Sequence, residues 1–230
     1  PRPGSPRAAM AHRPFRWVFS GSFASNIGTW MQNVVLLSFA DELTSSATFV
    51  GLVTLAQLGP TLVLSPFGGV LADRFDRRRI MMVSAGFQGL LSLALAAVAH
   101  QPDPSRTALV LCVLGIGIAS SATAPSSTAS LPALVGHEDL PGAVALNSAQ
   151  MNASRVLGPV LATIPFLHTP WIAFAVNAAT YLFVIVAVAL APFDGRPAAA
   201  RATDGPGRPF PGAVGHGVGR PDVDRGIGQH

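Results

Sequence analysis

Two uncharged runs, residues 49–72 and 80–99, flank a seven-residue island, Asp73-Arg74-Phe75-Asp76-Arg77-Arg78-Arg79, that holds four arginines and two aspartates. Each run meets the roughly 20 apolar residues a helix needs to cross a bilayer. A short basic island between two such runs reads as a loop joining two antiparallel transmembrane helices, kept on the cytoplasmic side by its arginines. Composition agrees, with 50% hydrophobic and only 11% charged residues against roughly 25% charged in soluble chains. The fold class that follows is an all-α membrane protein.

Hydropathy predicts six spans, at about 17–40, 49–72, 80–99, 107–130, 142–167 and 170–191. Three domains are expected: a cytoplasmic segment 1–14, a six-helix transmembrane bundle 15–192, and a disordered Gly/Pro/Arg-rich tail 193–230. An out-of-frame translation of GC-rich DNA would give the same tail composition. The positive start followed by an apolar run resembles a secretory signal, but the run is too long and no small-residue cleavage site follows it. Met10 is a candidate natural start. Arg2, Arg7, Arg13 and Arg16 precede the first span and the hinge has four more, whereas the intervening loops hold only Arg106. Arginine asymmetry therefore predicts a multi-pass plasma-membrane protein with both termini cytoplasmic. The loop near 131–141 has no arginine and does not contribute.

All fifteen basic residues are arginine, and the sequence pI is near 10.9. Because these arginines flank apolar spans, topology accounts for them and no nucleic-acid partner is expected. The single Cys112 excludes an internal disulfide framework. No nucleotide-binding loop, metal-ligand spacing or nucleophile–base set occurs, so neither an enzyme nor a cofactor nor a metal is expected. The histidines fall at span ends, in loops or in the tail.

Polar side chains inside the spans are the candidate functional residues. Gly21, Ser25, Gly28 and Thr29 lie near one face of the first span, with Asn26, Gln32 and Asn33 supplying amides. Small residues and amides serve helix packing or a cavity wall equally well, and both readings stay open. Gln57, Asn147 and Gln150 are further cavity candidates. Arg155 in the fifth span either contacts substrate or coupling ion, or snorkels to an edge; at the bilayer centre it would cost about 2.5–3.5 kcal/mol on insertion scales. Gly158-Pro159 is a candidate helix kink.

The hinge resembles the signature loop between helices two and three of the major facilitator superfamily, Gly-x-Leu-Ala-Asp-Arg-x-Gly-Arg-Lys. Gly69, Leu71, Ala72, Asp73, Arg74, Arg77 and Arg78 match it, the last as Arg for Lys, while Asp76 replaces a glycine. Residues 25–32, Ser-Asn-Ile-Gly-Thr-Trp-Met-Gln, with Gln57-Leu58-Gly59-Pro60, are similar to the branch that includes the enterobactin exporter and multidrug-efflux proteins. The resemblance covers residues 15–192 and implies the amino-terminal six-helix half of an efflux transporter working by alternating access. It also implies a small-molecule substrate, protons as the coupling ion, membrane lipid as surroundings, and a second six-helix half or a copy of the chain as partner. Gly69, Asp73, Arg74, Arg77 and Arg78 would form a conformational latch. Gly158-Pro159 resembles the Gly-Pro pair of the antiporter motif. Two departures stand: the motif's arginine in helix four is absent, and no carboxylate lies inside a predicted span. A half-transporter acting as a dimer, or a non-transporting membrane protein keeping the fold, are the alternatives.

Overall fold

The computed structural model describes residues 2–191 with Phe193 and Gly195; the side chains of residues 69, 71–73 and 124 lie outside that description, as does the rest of the expected tail. Eight helices occur among the described residues: α1 Pro6–Ala9, α2 Arg13–Thr44, α3 Ala47–Arg74, α4 Arg77–Ala99, α5 Arg106–Val135, α6 Leu140–Ala162, α7 Pro165–His168 and α8 Pro170–Leu190. α1 and α7 are single turns. The six long helices form the expected all-α membrane bundle.

Four of them, α3, α4, α5 and α8, are long and apolar enough to cross a membrane. α2, at 32 residues, and α6, at 23, have the length but fall short in apolarity because they carry the amides and hydroxyls described below. The expected fifth span, 142–167, is not continuous. Pro165 disfavours helical backbone at the residue before it, and Ile164 is extended at φ −69°, ψ 125°, so α6 stops at Ala162. Thr169 before Pro170 is extended for the same reason, at φ −67°, ψ 118°.

α2 packs against α6 and α8, α3 against α5, and α4 against both α5 and α8. Exchanging α2, α3, α4 for α5, α6, α8 maps each of these pairings onto another or onto itself. The bundle is thus two three-helix repeats, the internal symmetry found in many transporters. Lipid does not drive helices together as water does, so close backbone approach and interhelical hydrogen bonds must hold the bundle. Gly28 lets α2 reach α8, where an added Cβ would lie 2.6 Å from Asn177 Oδ1. Gly158 lets α6 reach α2, where a Cβ would meet Trp30 and come within 2.8 Å of the Met31 nitrogen. Two apolar clusters complete the interior, one around Met31, Leu36, Leu95, Leu109 and Phe174, the other around Phe15, Met81, Leu134 and Val188.

The hinge is shorter and more structured than a flexible loop. α3 ends at Arg74 and α4 begins at Arg77. Asp76 is the α4 N-cap, its Oδ1 accepting from the backbone of Arg78 at 2.8 Å and Arg79 at 3.3 Å. Arg77 donates to the Ala129 carbonyl of α5 at 2.7 Å, and Arg78 to the Ala189 carbonyl in the last turn of α8 at 2.6 Å, where the helix dipole favours a cation. Arg78 also lies over the Phe193 ring, and Gly195 accepts from the Arg77 backbone at 2.9 Å. Phe193 is buried. These two residues, assigned from composition to the tail, therefore pack on the hinge.

At the same end, His12 Nε2 contacts Asp139 Oδ2 at 2.8 Å and the Gly4 nitrogen donates to Asp139 Oδ1 at 2.9 Å. The α5–α6 loop, which arginine counting left undecided, thus shares a face with the amino-terminal segment. That face holds eight of the arginines, Arg2, Arg7, Arg13, Arg16, Arg74, Arg77, Arg78 and Arg79; the opposite face holds Arg106.

Candidate functional site

A cavity of about 220 Å³ opens within the bundle, walled by five of the six long helices. α2 contributes Ser22, Ser25, Asn26 and Thr29, spaced i, i+3, i+4 and i+7 along one helical face. α4 contributes Met81, Ala85 and Gln88; α5 contributes Ser120, Thr123, Ser127 and Thr128. Asn147, Gln150 and Met151 come from α6, and Tyr181 and Val184 from α8. Eight of these residues carry a hydroxyl and four an amide, and none carries a charge.

One hydrogen-bonded chain organises the deep wall. Thr29 Oγ1 and Tyr181 OH lie 3.1 Å apart, and Tyr181 OH donates to Gln88 Oε1 at 3.1 Å. Ser120 Oγ donates to the same oxygen at 3.0 Å, while Gln88 Nε2 donates to Thr123 Oγ1 at 3.1 Å. α2, α8, α4 and α5 are thereby joined through one buried amide. Buried polar groups in a bilayer need such partners. On the α6 side, Gln150 Nε2 donates to Asn147 Oδ1 at 2.8 Å, while Gln150 Oε1 is buried with no partner among the described residues.

Of the residues expected at a cavity, Asn26, Asn147 and Gln150 line it. Gln32, Asn33, Gln57 and Arg155 do not. Gln32 is buried and accepts from Asn177 Nδ2 at 2.9 Å, pinning α2 to α8. Gln57 donates to Asn33 at 2.5 Å, joining α3 to α2. All three thus take part in interhelical hydrogen bonds, with Asn33 and Gln57 only half-buried. Arg155 is exposed, with its guanidinium 5.4 Å from the Trp30 ring centroid. It lies 15 residues beyond the start of α6, roughly 22 Å along the helix at 1.5 Å per residue, far from the arginine-rich face. Trp30 and Arg155 sit one turn beyond Asn26 and Met151, themselves in contact at 3.9 Å. The small residues of α2 divide: Gly21 and Gly28 pack on α8, while Ser25 and Thr29 reach the cavity. Gly158 is the α6–α2 contact, and Pro159 lies inside α6 near its end. Of the hinge residues, Arg77 and Arg78 bond within this half, Arg74 is exposed, and the surroundings of Gly69 and the Asp73 side chain lie outside the described residues.

Gln88, Tyr181 and the α5 hydroxyls were missed from sequence. Signals existed: Gln88 is the only amide in α4, Tyr181 is the only tyrosine in the chain, and Ser120, Thr123 and Ser127 recur at i, i+3 and i+7.

A six-helix membrane bundle of two three-helix repeats, with a polar interior cavity and a two-residue hinge flanked by arginines, defines a transporter-type half. Over residues 4–204 the chain matches the family described as transmembrane secretion effector, MFS_3, and it belongs to that major-facilitator family as its amino-terminal six-helix half. It is 31% identical over 150 residues to the enterobactin exporter EntS of Shigella boydii serotype 4 (strain Sb227), of Salmonella typhi and of Escherichia coli O1:K1 / APEC. Each alignment covers 65% of this chain and 36% of the relative, so the chain spans about a third of those relatives' length. No solved structure matches the chain.

Proposed function

We propose that this chain forms one half of an exporter that moves a small molecule out across the plasma membrane by alternating access, against a second six-helix half. The carrying observation is the cavity: twelve hydroxyl- or amide-bearing residues from five helices converge on a space inside an otherwise apolar bundle. Polar groups are expensive at membrane depth and mark substrate pathways when they face a cavity. Family membership adds the direction, since the relatives are named as exporters. Both termini face the cytoplasm in this reading, because the arginine-rich face carries the amino-terminal segment and the residues after α8.

In this reading the exposed Arg155 and Met151, with the half-buried Trp30 under the Arg155 guanidinium, form the surface that meets the second half or a second copy. Proton coupling is the family expectation. The acidic residues between 2 and 191 all fall at helix ends or in links, Asp41, Glu42, Asp73, Asp76, Asp103, Glu138 and Asp139. If coupling is by protons, this reading assigns the proton-binding carboxylate to the second half.

The test is retention of a panel of drugs and of enterobactin, the compound named for the relatives, in cells stripped of their own exporters. The chain is expressed alone and with a homologous carboxy-terminal half. Lower retention only in the co-expressing cells, abolished by Asn26→Leu with Asn147→Leu, supports the reading. Lower retention with the chain alone favours a self-paired half-transporter. Unchanged retention in both, with insertion verified, refutes transport and leaves a non-transporting membrane protein.

A further inference from the structure

We infer that the cavity within this half recognises an uncharged, ring-sized group bearing hydroxyl or amide functions, and that it discriminates against cations and anions. The inference rests on the exporter reading for the ligand's fate but not for its binding, which is a property of this chain.

Among the described residues the wall has no counter-charge to offer. None of the cavity residues is ionisable near neutral pH, and Arg155, the one cation in the interior part of α6, lies over Trp30 outside the lining. An ion moved into such a wall loses its hydration without gaining a partner, whereas a hydroxyl or amide exchanges water bonds for wall bonds. Donors and acceptors both remain available there. Among the described residues the half-buried Asn26 amide has only the weak Met151 sulfur at 3.9 Å on its NH2 group and no partner on its oxygen, while the unpartnered Gln150 oxygen is enclosed behind the wall. A ligand group with both a donor and an acceptor satisfies the Asn26 amide where an ether or a hydrocarbon would not.

Size narrows the class. The 220 Å³ corresponds to roughly seven waters at about 30 Å³ each, below the roughly 300–1,000 Å³ of a drug-sized site. One substituted ring fits, so a larger substrate would insert one such group and leave the remainder outside the bundle. Met81 and Met151 stand on opposing helices of the cavity, and thioethers make favourable contacts with aromatic rings.

Benzamide, benzamidinium and benzoate are close in size and shape and differ in charge. Their binding to the purified full chain in lipid nanodiscs, by equilibrium dialysis at millimolar concentration, tests the inference without any transport step. Benzamide is expected to bind at least about tenfold more tightly than either ion, a difference of about 1.4 kcal/mol. Asn147→Leu should lose benzamide. The near-isosteric Asn147→Asp, and independently Asn26→Asp, should shift preference toward benzamidinium, an inversion that a merely structural residue would not produce. Equal binding of the three, tightest binding of benzoate, no binding of any, or no inversion in folded Asp variants overturns the inference. Efflux failure with intact benzamide selectivity would sink the exporter reading alone, and efflux with no selectivity would sink only this one.

Discussion

Gly158→Ala against Gly51→Ala separates close helix approach from helix propensity. Both glycines are inside long helices, and alanine should gain about 0.5–1 kcal/mol of helix preference at Gly51 but not at Gly158, where the following Pro159 disfavours helical backbone for a residue carrying a Cβ. At Gly51 nothing lies within 4 Å of an added Cβ, and that gain is realised. At Gly158 the Cβ would meet the Trp30 side chain and would lie 2.8 Å from the Met31 nitrogen and 2.9 Å from the Trp30 carbonyl carbon. Two of those three obstacles are backbone atoms, which cannot rotate aside, so α6 must lift away from α2. Overpacking of this kind costs about 1–3 kcal/mol, and immovable neighbours put it at the upper end. Gly158→Ala is therefore about 2–3 kcal/mol less stable than the parent and about 2.5–4 kcal/mol less stable than Gly51→Ala. For a chain of this size about 2–4 °C accompany each kcal/mol, giving a gap of about 5–16 °C. Thermal unfolding of the purified proteins in one detergent, followed by tryptophan fluorescence, reads it directly. Equal midpoints, or a Gly158→Ala protein more stable than Gly51→Ala, would show that α2 and α6 do not meet at Gly158 and would remove the seam that carries Asn26, Met151 and Arg155.

Asp76→Ala should lower stability by about 1 kcal/mol through loss of the α4 N-cap, while Asp76→Ser keeps most of it; thermal midpoints of the two variants check this. The hydrogen bond from His12, and then the Gly4 backbone N–H, hold the Asp139 carboxyl below its ordinary value of 3.8. A lowered carboxylate pKa stabilises the fold fully above the ordinary value and is lost as pH falls through the lowered one. The stability difference between parent and Asp139→Asn should therefore be present at about pH 5 and close as pH falls below 3.8; a difference that grows over that interval would contradict the contact. After Cys112→Ser, single cysteines at Ser46 and Asp103 should react with an impermeant maleimide added outside intact cells. Cysteines at Phe75 and Glu138 should react only after lysis, and the reverse pattern would invert the topology.

The class of this protein was legible in the chain because membrane insertion is read out locally. Twenty uncharged residues bounded by arginines carry the same meaning wherever they stand, and the hinge motif spans only ten positions. α3, α4 and α8 accordingly lie within a few residues of their predicted spans. The fifth helix was misjudged at its end, where Pro165 overrides a still-apolar composition. The site was legible only in part. A polar side chain on an apolar helix announces that it must be satisfied, but not by what: Asn26 and Gln32 are six residues apart on α2, yet one lines the cavity and the other bonds Asn177 from α8. Gln88, Tyr181, Ser120 and Thr123 acquire a common role only when α4, α5 and α8 come together, at separations of up to 93 residues. Orientation of the α5–α6 loop was likewise undecided until Asp139 met His12 across 127 residues. The sequence by itself determined that the chain enters a membrane and how its helices are punctuated, since those depend on composition over one helix length. Which polar groups bond one another and which are left facing a cavity is a property of helix pairs, and only the packed bundle decides it.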